Sequence, residues 1–198
     1  DQDHAGGYPF LRNEFEIDHL SVMPGSRYEA KKDFVSTCKA GDYWLWDGIM
    51  FRFLHPALPA LVKENDRSCV LHISGPGGSV LLSGDIERHA EVELVNRYAG
   101  KLAAGVLLAP HHGSATSSSA EFIAQVNPRE VIYSAGFRNR FGFPRAEVMR
   151  RYQEHGTEQF STAKTGMVRF HFQAQPGMYR RLLYRQEHRN IWHQSTEH

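Results

Sequence analysis

The stretch Val106-Leu-Leu-Ala-Pro-His-His-Gly-Ser-Ala-Thr-Ser-Ser-Ser119 places two adjacent histidines directly after a short apolar run. The run has the composition of a buried strand, and Pro110 ends it because proline cannot donate to a sheet ladder. Imidazoles at the end of a buried strand are costly to desolvate unless they bind something, and a metal ion is their usual partner. The alternative is a pair of solvated loop histidines before a helix capped by the serines at 117–119.

A carboxylate follows the preceding predicted strand. Asp85 comes after the apolar residues 80–82 and Gly84. Strand ends of an open α/β sheet gather at one edge, so Asp85 is expected beside His111 and His112, where it could bridge two ions. As an alternative, Asp85 caps the helix predicted over 87–98.

Further ligand-type side chains stand at the start of the chain. Asp1, Asp3 and His4 precede Gly6 and Gly7. Carboxylates and an imidazole at this density supply the mixed oxygen and nitrogen ligands that divalent cations take, and glycines let the backbone approach closely. A solvated, frayed terminus is the alternative.

The pattern along the chain predicts a mixed α/β (α+β) fold. Asp47-Gly48 between aromatic and aliphatic runs predicts a β-hairpin. Strands are predicted over 15–22, 69–73, 80–82, 106–109, 131–134, 160–162 and 166–172, and helices over 87–98, 120–126 and 146–155. The first half is therefore rich in hairpins, while strands alternate with helices in the second half.

Composition narrows the function classes. The chain has 198 residues, 41% of them apolar, which is enough to bury a sizeable core in one domain. The formal net charge of +1 provides no global basic field, so nucleic-acid binding must depend on local patches. No apolar run approaches the roughly 18 residues of a membrane-spanning helix. Cys38 and Cys69 are compatible with a disulfide, with free thiols or with buried thiols.

We expect the main domain over 1–175, followed by a basic, aromatic tail over 176–198. Arginines interleaved with aromatic rings suit phosphate contacts and base stacking. A tail that packs its aromatic side chains back onto the domain is the alternative. The residues concerned are Tyr179, Arg180, Arg181, Tyr184, Arg185, Arg189, Trp192 and His193.

Taken in order, these motifs resemble the metallo-β-lactamase superfamily. The chain is most similar to the hydrolase-like domain at the C-terminal end of ComEC-type DNA-uptake proteins of competent bacteria. The resemblance covers nearly the whole chain and implies an αβ/βα sandwich, here without its first strands. It rests on residues 1–7, 65–71, 81–87, 110–114 and 139–144.

The resemblance also implies a metal-dependent phosphodiester hydrolase. One or two divalent ions are expected, with Mn²⁺ favoured by the carboxylates and Zn²⁺ as the alternative. The predicted metal ligands are Asp1, Asp3, His4, Asp85 and His112. Catalytic roles are predicted for Asp3, Asp85 and His111, with His111 as a transition-state donor. Contacts to substrate phosphates are predicted for Ser114, Thr116, Arg138 and Arg140.

Two departures from the family pattern keep other functions open. Phe143 stands where many relatives carry histidine, and Asn65 stands where other members place a metal-binding histidine. One alternative is therefore a non-catalytic domain that binds DNA or a partner protein. Another is a thioester or lactam hydrolase that uses the same type of site.

The implied partners are single-stranded DNA, bound weakly, and the membrane-channel portion of the same polypeptide. The implied location is that of a soluble domain of an inner-membrane protein, on its periplasmic or extracytoplasmic side. A sandwich without its first strands would expose apolar surface, so a homodimer is also expected. A monodisperse monomer in solution would contradict that expectation.

Overall fold

A computed structural model describes residues 2–28, 34–57 and 63–188. The chain divides into two compact units, residues 1–38 and 39–198. The predicted ligand Asp1 and the tail residues Arg189, Trp192 and His193 lie outside the described residues.

The first unit contains two short helices and a pair of parallel strands. These elements are α1 (Gln2–Ala5), α2 (Tyr8–Glu14), β1 (Leu20–Val22) and β2 (Val35–Thr37). Of the strand predicted over 15–22, only Leu20–Val22 forms a strand, because α2 extends to its C-cap residue Phe15. Pro9 lies in the first turn of α2, where proline favours a helix start, and this helix extends up to the predicted strand.

The second unit is built on a seven-stranded mixed sheet. Its strands, in spatial order, are β3 (Tyr43–Trp46), β4 (Ile49–His55), β5 (Val70–Gly75), β6 (Gly78–Leu82), β7 (Val106–Leu108), β8 (Glu130–Tyr133) and β9 (Glu158–Ser161). The pairs from β3 to β6 are antiparallel, and those from β6 to β9 are parallel. The mixed α/β fold expected from the sequence is confirmed.

The predicted hairpin at Asp47-Gly48 joins β3 to β4. Both turn residues have positive φ, 49° for Asp47 and 78° for Gly48, which matches the right-handed twist of the two strands. Trp46 pairs with Ile49 across the turn.

Helices alternate with the parallel strands and pack on one face of the sheet. They are α3 (Arg88–Tyr98), α4 (Ala120–Val126) and α5 (Ala146–Glu154). Laterally aligned side chains of the central strands, including Leu107 and Val131, form one buried cluster with Leu94, Phe122 and Tyr152 of these helices. Parallel strands end at the same edge of a sheet, so the segments that follow β6, β7 and β8 start close together.

A second hairpin lies on the opposite face of the sheet. Its strands are β10 (Val168–Phe172) and β11 (Tyr179–Leu183), and the short helices α6 (Thr162–Thr165) and α7 (Tyr184–Glu187) flank it. Arg181 forms ion pairs of 2.8 Å with Glu130 and with Glu158, and its guanidinium covers the Phe160 ring.

Tyr179 also holds this hairpin to the sheet. Its hydroxyl donates to Glu130 Oε1 at 2.6 Å. Burial, together with this hydrogen bond, raises the pKa of Tyr179 to about 12. Tyr179 and Arg181 belong to the predicted tail, so the part of the tail that is described packs these side chains onto the domain.

Two further predictions concern the membrane and the cysteines. Within residues 2–28, 34–57 and 63–188, no helix is both long and apolar enough to cross a bilayer. Cys38 and Cys69 are both disulfide-bonded, so neither is a free thiol.

Leu107→Ala tests the position of the core. Leu107 is fully buried in β7, and truncation of a buried leucine costs about 2–5 kcal/mol of unfolding free energy. Leu45→Ala in the edge strand β3 is the matched control, because Leu45 is 64% exposed and its truncation should change stability by less than about 0.5 kcal/mol. Urea unfolding measures both variants, and equal losses would contradict this core.

Candidate functional site

Both site histidines adopt left-handed backbone. His111 has φ 48° and ψ 44°, and His112 has φ 56° and ψ 15°, within the short 3₁₀ segment Pro110–Gly113. This conformation costs roughly 1–2 kcal/mol for each non-glycine residue, and such strain clusters at functional sites. Hydrogen bonds hold the turn: His111 N–H donates to the Gly84 carbonyl at 3.0 Å, and Ser114 N–H donates to the His111 carbonyl at 2.9 Å.

The glycine after the histidines makes close contacts that exclude a larger side chain. Gly113 has φ 85°, and a Cβ built on it would lie 2.7 Å from Pro144 Cβ and 2.9 Å from Tyr133 Cδ1. Arg145 N–H donates to the Gly113 carbonyl at 2.9 Å. The turn after β7 is therefore packed directly against the segment that follows β8.

Asp85 lies beside His112, at the ends of neighbouring parallel strands. Its Oδ1 is 3.5 Å from His112 Nε2, and only 7% of Asp85 is exposed. Helix α3 begins after its N-cap residue Glu87, so Asp85 is not the helix cap that the sequence offered as an alternative.

The Asp85–His112 spacing fits shared coordination of a divalent cation. It exceeds the roughly 2.7–3.2 Å of an ordinary N–H···O hydrogen bond. Two ligand atoms that each lie about 2.1 Å from one ion are about 3.0 Å apart in octahedral coordination and about 3.4 Å apart in tetrahedral coordination. A carboxylate oxygen and an imidazole nitrogen are also the donor types that Mn²⁺ and Zn²⁺ accept in proteins.

His111 has a different set of neighbours. Its Nδ1 lies 3.5 Å from Glu87 Oε1 and 3.4 Å from Thr116 Oγ1. Glu87 Oε1 accepts from Asn65 Nδ2 at 3.2 Å, and the Glu87 N–H donates to Asp66 Oδ1 at 2.9 Å. The two adjacent imidazoles therefore face two different carboxylates.

Glu87 and Asp66 were not among the predicted site residues. Glu87 is two residues after Asp85, so the motif Gly-Asp-Ile-Glu contained the signal. Asp66 is 4% exposed although it stands in a polar turn, and nothing in its local sequence indicates that burial.

A buried carboxylate, that of Glu91, supports the serine-rich segment that follows the histidines, residues 114–119. Both Glu91 oxygens accept backbone N–H groups, Oε1 from Ser118 and Oε2 from Ser119. Burial raises the pKa of Glu91, while these donors and Arg151 oppose the rise. Arg151 in turn donates to the Ser117 and Ser118 carbonyls at 2.9 Å. The segment is thus attached to both α3 and α5.

The predicted phosphate-binding hydroxyls lie in this segment. Ser114 Oγ and Thr116 Oγ1 are 3.1 Å apart, and Ser114 is largely buried. Ser119 caps α4, as its Oγ accepts from the Phe122 N–H. A cleft of about 520 Å³ opens beside Thr116, and its lining includes Glu87, Arg88 and Arg151.

The predicted arginines lie in the loop after β8. The Arg138 guanidinium is 5.2 Å from the Phe137 ring centroid, and that of Arg140 is 4.8 Å from Phe141. Phe143 in the same loop contacts both histidines, with ring centroids 5.8 Å from His111 and 6.4 Å from His112. The loop therefore adjoins the histidine turn.

Asp3 and His4 lie in α1 of the first unit. Both side chains are exposed, and His4 Nε2 is 3.7 Å from Asp3 Oδ2. Their roles as metal ligands stay predictions.

Comparison with known proteins identifies related sequences. A profile of the metallo-beta-lactamase superfamily matches residues 1–136. The chain is 33% identical to Competence protein ComA of Neisseria gonorrhoeae over 172 residues, which are 86% of this chain and 24% of that protein. It is 34% identical to Recombination protein 2 of Haemophilus influenzae, covering 87% of this chain and 21% of that protein.

A further relative is ComE operon protein 3 of Bacillus subtilis, at 30% identity over 90% of this chain and 24% of that protein. The chain thus spans less than a quarter of the length of these relatives.

The solved structures that resemble this chain are more distant from it in sequence. A putative Zn-dependent hydrolase of the metallo-beta-lactamase superfamily from Thermotoga maritima has a TM-score of 0.41 at 14% identity, covering 73% of this chain and 80% of that one. CmlA, a diiron beta-hydroxylase from Streptomyces venezuelae, has a TM-score of 0.42 at 14% identity, covering 76% of this chain and 35% of that one.

Gly113→Ala tests the packing of the histidine turn, with Gly156→Ala as its matched control. Gly156 has nearly the same φ, 82°, but a Cβ there would meet no heavy atom within 4 Å. The control should lose about 1–2 kcal/mol from backbone strain alone. Gly113→Ala should lose about 1–3 kcal/mol more, because Pro144 and Tyr133 must move. Urea unfolding measures both, and equal losses would show that the close approach has no energetic effect.

Proposed function

Because the chain belongs to the metallo-β-lactamase superfamily, we propose that it is a metal-dependent hydrolase domain that cleaves phosphodiester bonds in DNA. The observation that carries the proposal is the Asp85–His112 pair at the ends of β6 and β7, 3.5 Å apart and mostly buried. Hydroxyl and guanidinium groups that suit phosphate oxygens lie in the adjoining segments.

Asp85 and His112 would hold the ion, with Asp85 as the bridging ligand if two ions bind. Asp1, Asp3 and His4 are the further ligands that the sequence predicts. A bound divalent cation lowers the pKa of a coordinated water towards neutrality and stabilises charge on the phosphodiester oxygens. We favour Mn²⁺ over Zn²⁺ because this ligand set is rich in carboxylates.

The remaining groups act on the substrate. Glu87 and Thr116 would orient the His111 ring, and His111 would act as the proton donor to the leaving oxygen. Ser114 and Thr116 would bind phosphate oxygens through their hydroxyls, and Arg138 and Arg140 through their guanidinium groups.

The substrate in this proposal is single-stranded DNA. With a formal net charge of only +1, the chain should bind it weakly and lose affinity as salt rises. One relative is named a competence protein, and in DNA uptake for competence we propose that the present domain would degrade the strand that is not transported. The channel part of a longer polypeptide would then supply the local concentration of DNA.

The disulfide-bonded cysteines support an extracytoplasmic location, because disulfides persist in oxidising compartments. In a full-length protein, alkaline phosphatase fused after His198 should therefore be active, since that reporter needs oxidising conditions to fold. An inactive fusion, together with an active cytoplasmic reporter at the same position, would contradict this location.

Asp85→Asn and His112→Ala test the metal site. Each variant should lose bound metal in elemental analysis and lower Mn²⁺-dependent cleavage of single-stranded DNA by at least about 100-fold, more than the usual effect of residues outside the ligand set. His171→Ala is the matched control, because His171 is an exposed histidine on β10. Full metal content and full cleavage in Asp85→Asn would refute the proposal.

Phe143 favours a second candidate, a DNA-binding domain without catalysis. Its ring lies against both imidazoles, at a position where the resemblance to the family implies a histidine. That candidate is supported if the chain binds DNA but contains no metal and cleaves nothing with added Mn²⁺. A thioester or lactam hydrolase would instead cleave those substrates and leave DNA intact.

A further inference from the structure

Three aromatic rings form a near-parallel series that leads from the histidine turn to the surface. The His112 and Phe143 rings are 6.4 Å apart with an interplanar angle of 23°, and the Phe143 and Phe141 rings are 5.5 Å apart at 18°. The outermost ring, Phe141, is 53% exposed. The series thus ends in an aromatic ring that is open to solvent.

The loop that carries the two phenylalanines is held in one conformation by its own side chains. Asn139 Nδ2 donates to the Phe143 carbonyl at 2.8 Å, and Phe143 N–H donates to Asn139 Oδ1 at 2.9 Å. The next residues attach the loop to the histidine turn, through the Arg145 N–H bond to the Gly113 carbonyl. These hydrogen bonds therefore fix the position of the exposed Phe141 ring relative to the two histidines.

Arginines accompany these rings. The Arg140 guanidinium lies 4.8 Å from the Phe141 centroid, and that of Arg145 lies 5.8 Å from the Phe143 centroid. An apolar protein partner would have to desolvate these cations, whereas a nucleic acid offers phosphates to them and flat bases to the rings. This combination of charge and shape favours single-stranded nucleic acid as the ligand.

We propose that the exposed Phe141 ring, backed by the Phe143 ring, forms a stacking platform for an unpaired base next to the phosphate that is cleaved. Arg140, whose guanidinium lies over the Phe141 ring, would move from that ring to the neighbouring phosphate when a base stacks there. Bases inside a duplex already stack on each other, so the platform selects unpaired strands. This inference rests on the proposed function for the cleavage step, but the base binding itself needs no metal.

Phe141→Leu tests the platform, because leucine keeps apolar bulk and removes the aromatic face. Binding of the 198-residue chain is measured in EDTA by fluorescence anisotropy. The probes are a short oligothymidylate and an abasic strand of equal length and charge. Phe141→Leu should weaken oligothymidylate binding about tenfold and change binding of the abasic strand less than about twofold. Phe141→Trp should restore the preference for bases.

Phe137→Leu is the matched control. Phe137 lies in the same loop, is 66% exposed and also has an arginine guanidinium next to its ring, but it lies outside the ring series. Its variant should bind both probes like the unchanged chain. Equal weakening of both probes by Phe141→Leu, or no weakening, would overturn the platform.

The platform and the nuclease proposal can fail separately. If Phe141→Leu loses the preference for bases and the unchanged chain cleaves nothing with Mn²⁺, the platform is supported and the nuclease is rejected. Mn²⁺-dependent cleavage that Asp85→Asn abolishes, in a chain whose preference for bases survives Phe141→Leu, supports the nuclease and rejects the platform.

Discussion

Consecutive left-handed backbone at His111 and His112 is the constraint on which the site depends. Such a turn is unfavourable for side chains with a Cβ, so its surroundings must stabilise it. The Gly84 carbonyl accepts the His111 N–H, and the absence of a side chain at Gly113 lets Tyr133 and Pro144 approach. The strain is thus offset by contacts from the two neighbouring strand ends, and it directs two adjacent imidazoles to different carboxylates.

Buried polar groups behind this turn keep the serine-rich segment in place. Both Glu91 oxygens accept backbone N–H groups of that segment, and Arg151 donates to carbonyls of the same segment. A buried carboxylate is costly to desolvate, so the arrangement is stable only while these donors remain. Sequence reasoning missed Glu91 because a glutamate within a helix is ordinarily solvent-exposed.

Local patterns predicted most of the second unit and failed where non-local pairing decided the structure. The Asp47-Gly48 hairpin and the helix over residues 146–154 follow from turn chemistry and helical spacing. Strand β11 was not predicted, because its arginines interrupt the apolar alternation that indicates a strand. It forms because β10 pairs with it and because Glu130 and Glu158 bind Arg181. The strand expected from residue 15 was shortened because α2 extends to Phe15.

The sequence by itself determined the superfamily, the mixed α/β fold and the kinds of ligand atom at the strand ends. These depend on residue type and short spacing, which a chain carries in any conformation. Only the tertiary structure decided that His112 faces Asp85, that His111 faces Glu87 and that Phe141 extends a series of rings from the histidines. Those neighbours depend on the sign of φ at two residues and on the lateral order of β6, β7 and β8, and neither is a local property of the sequence.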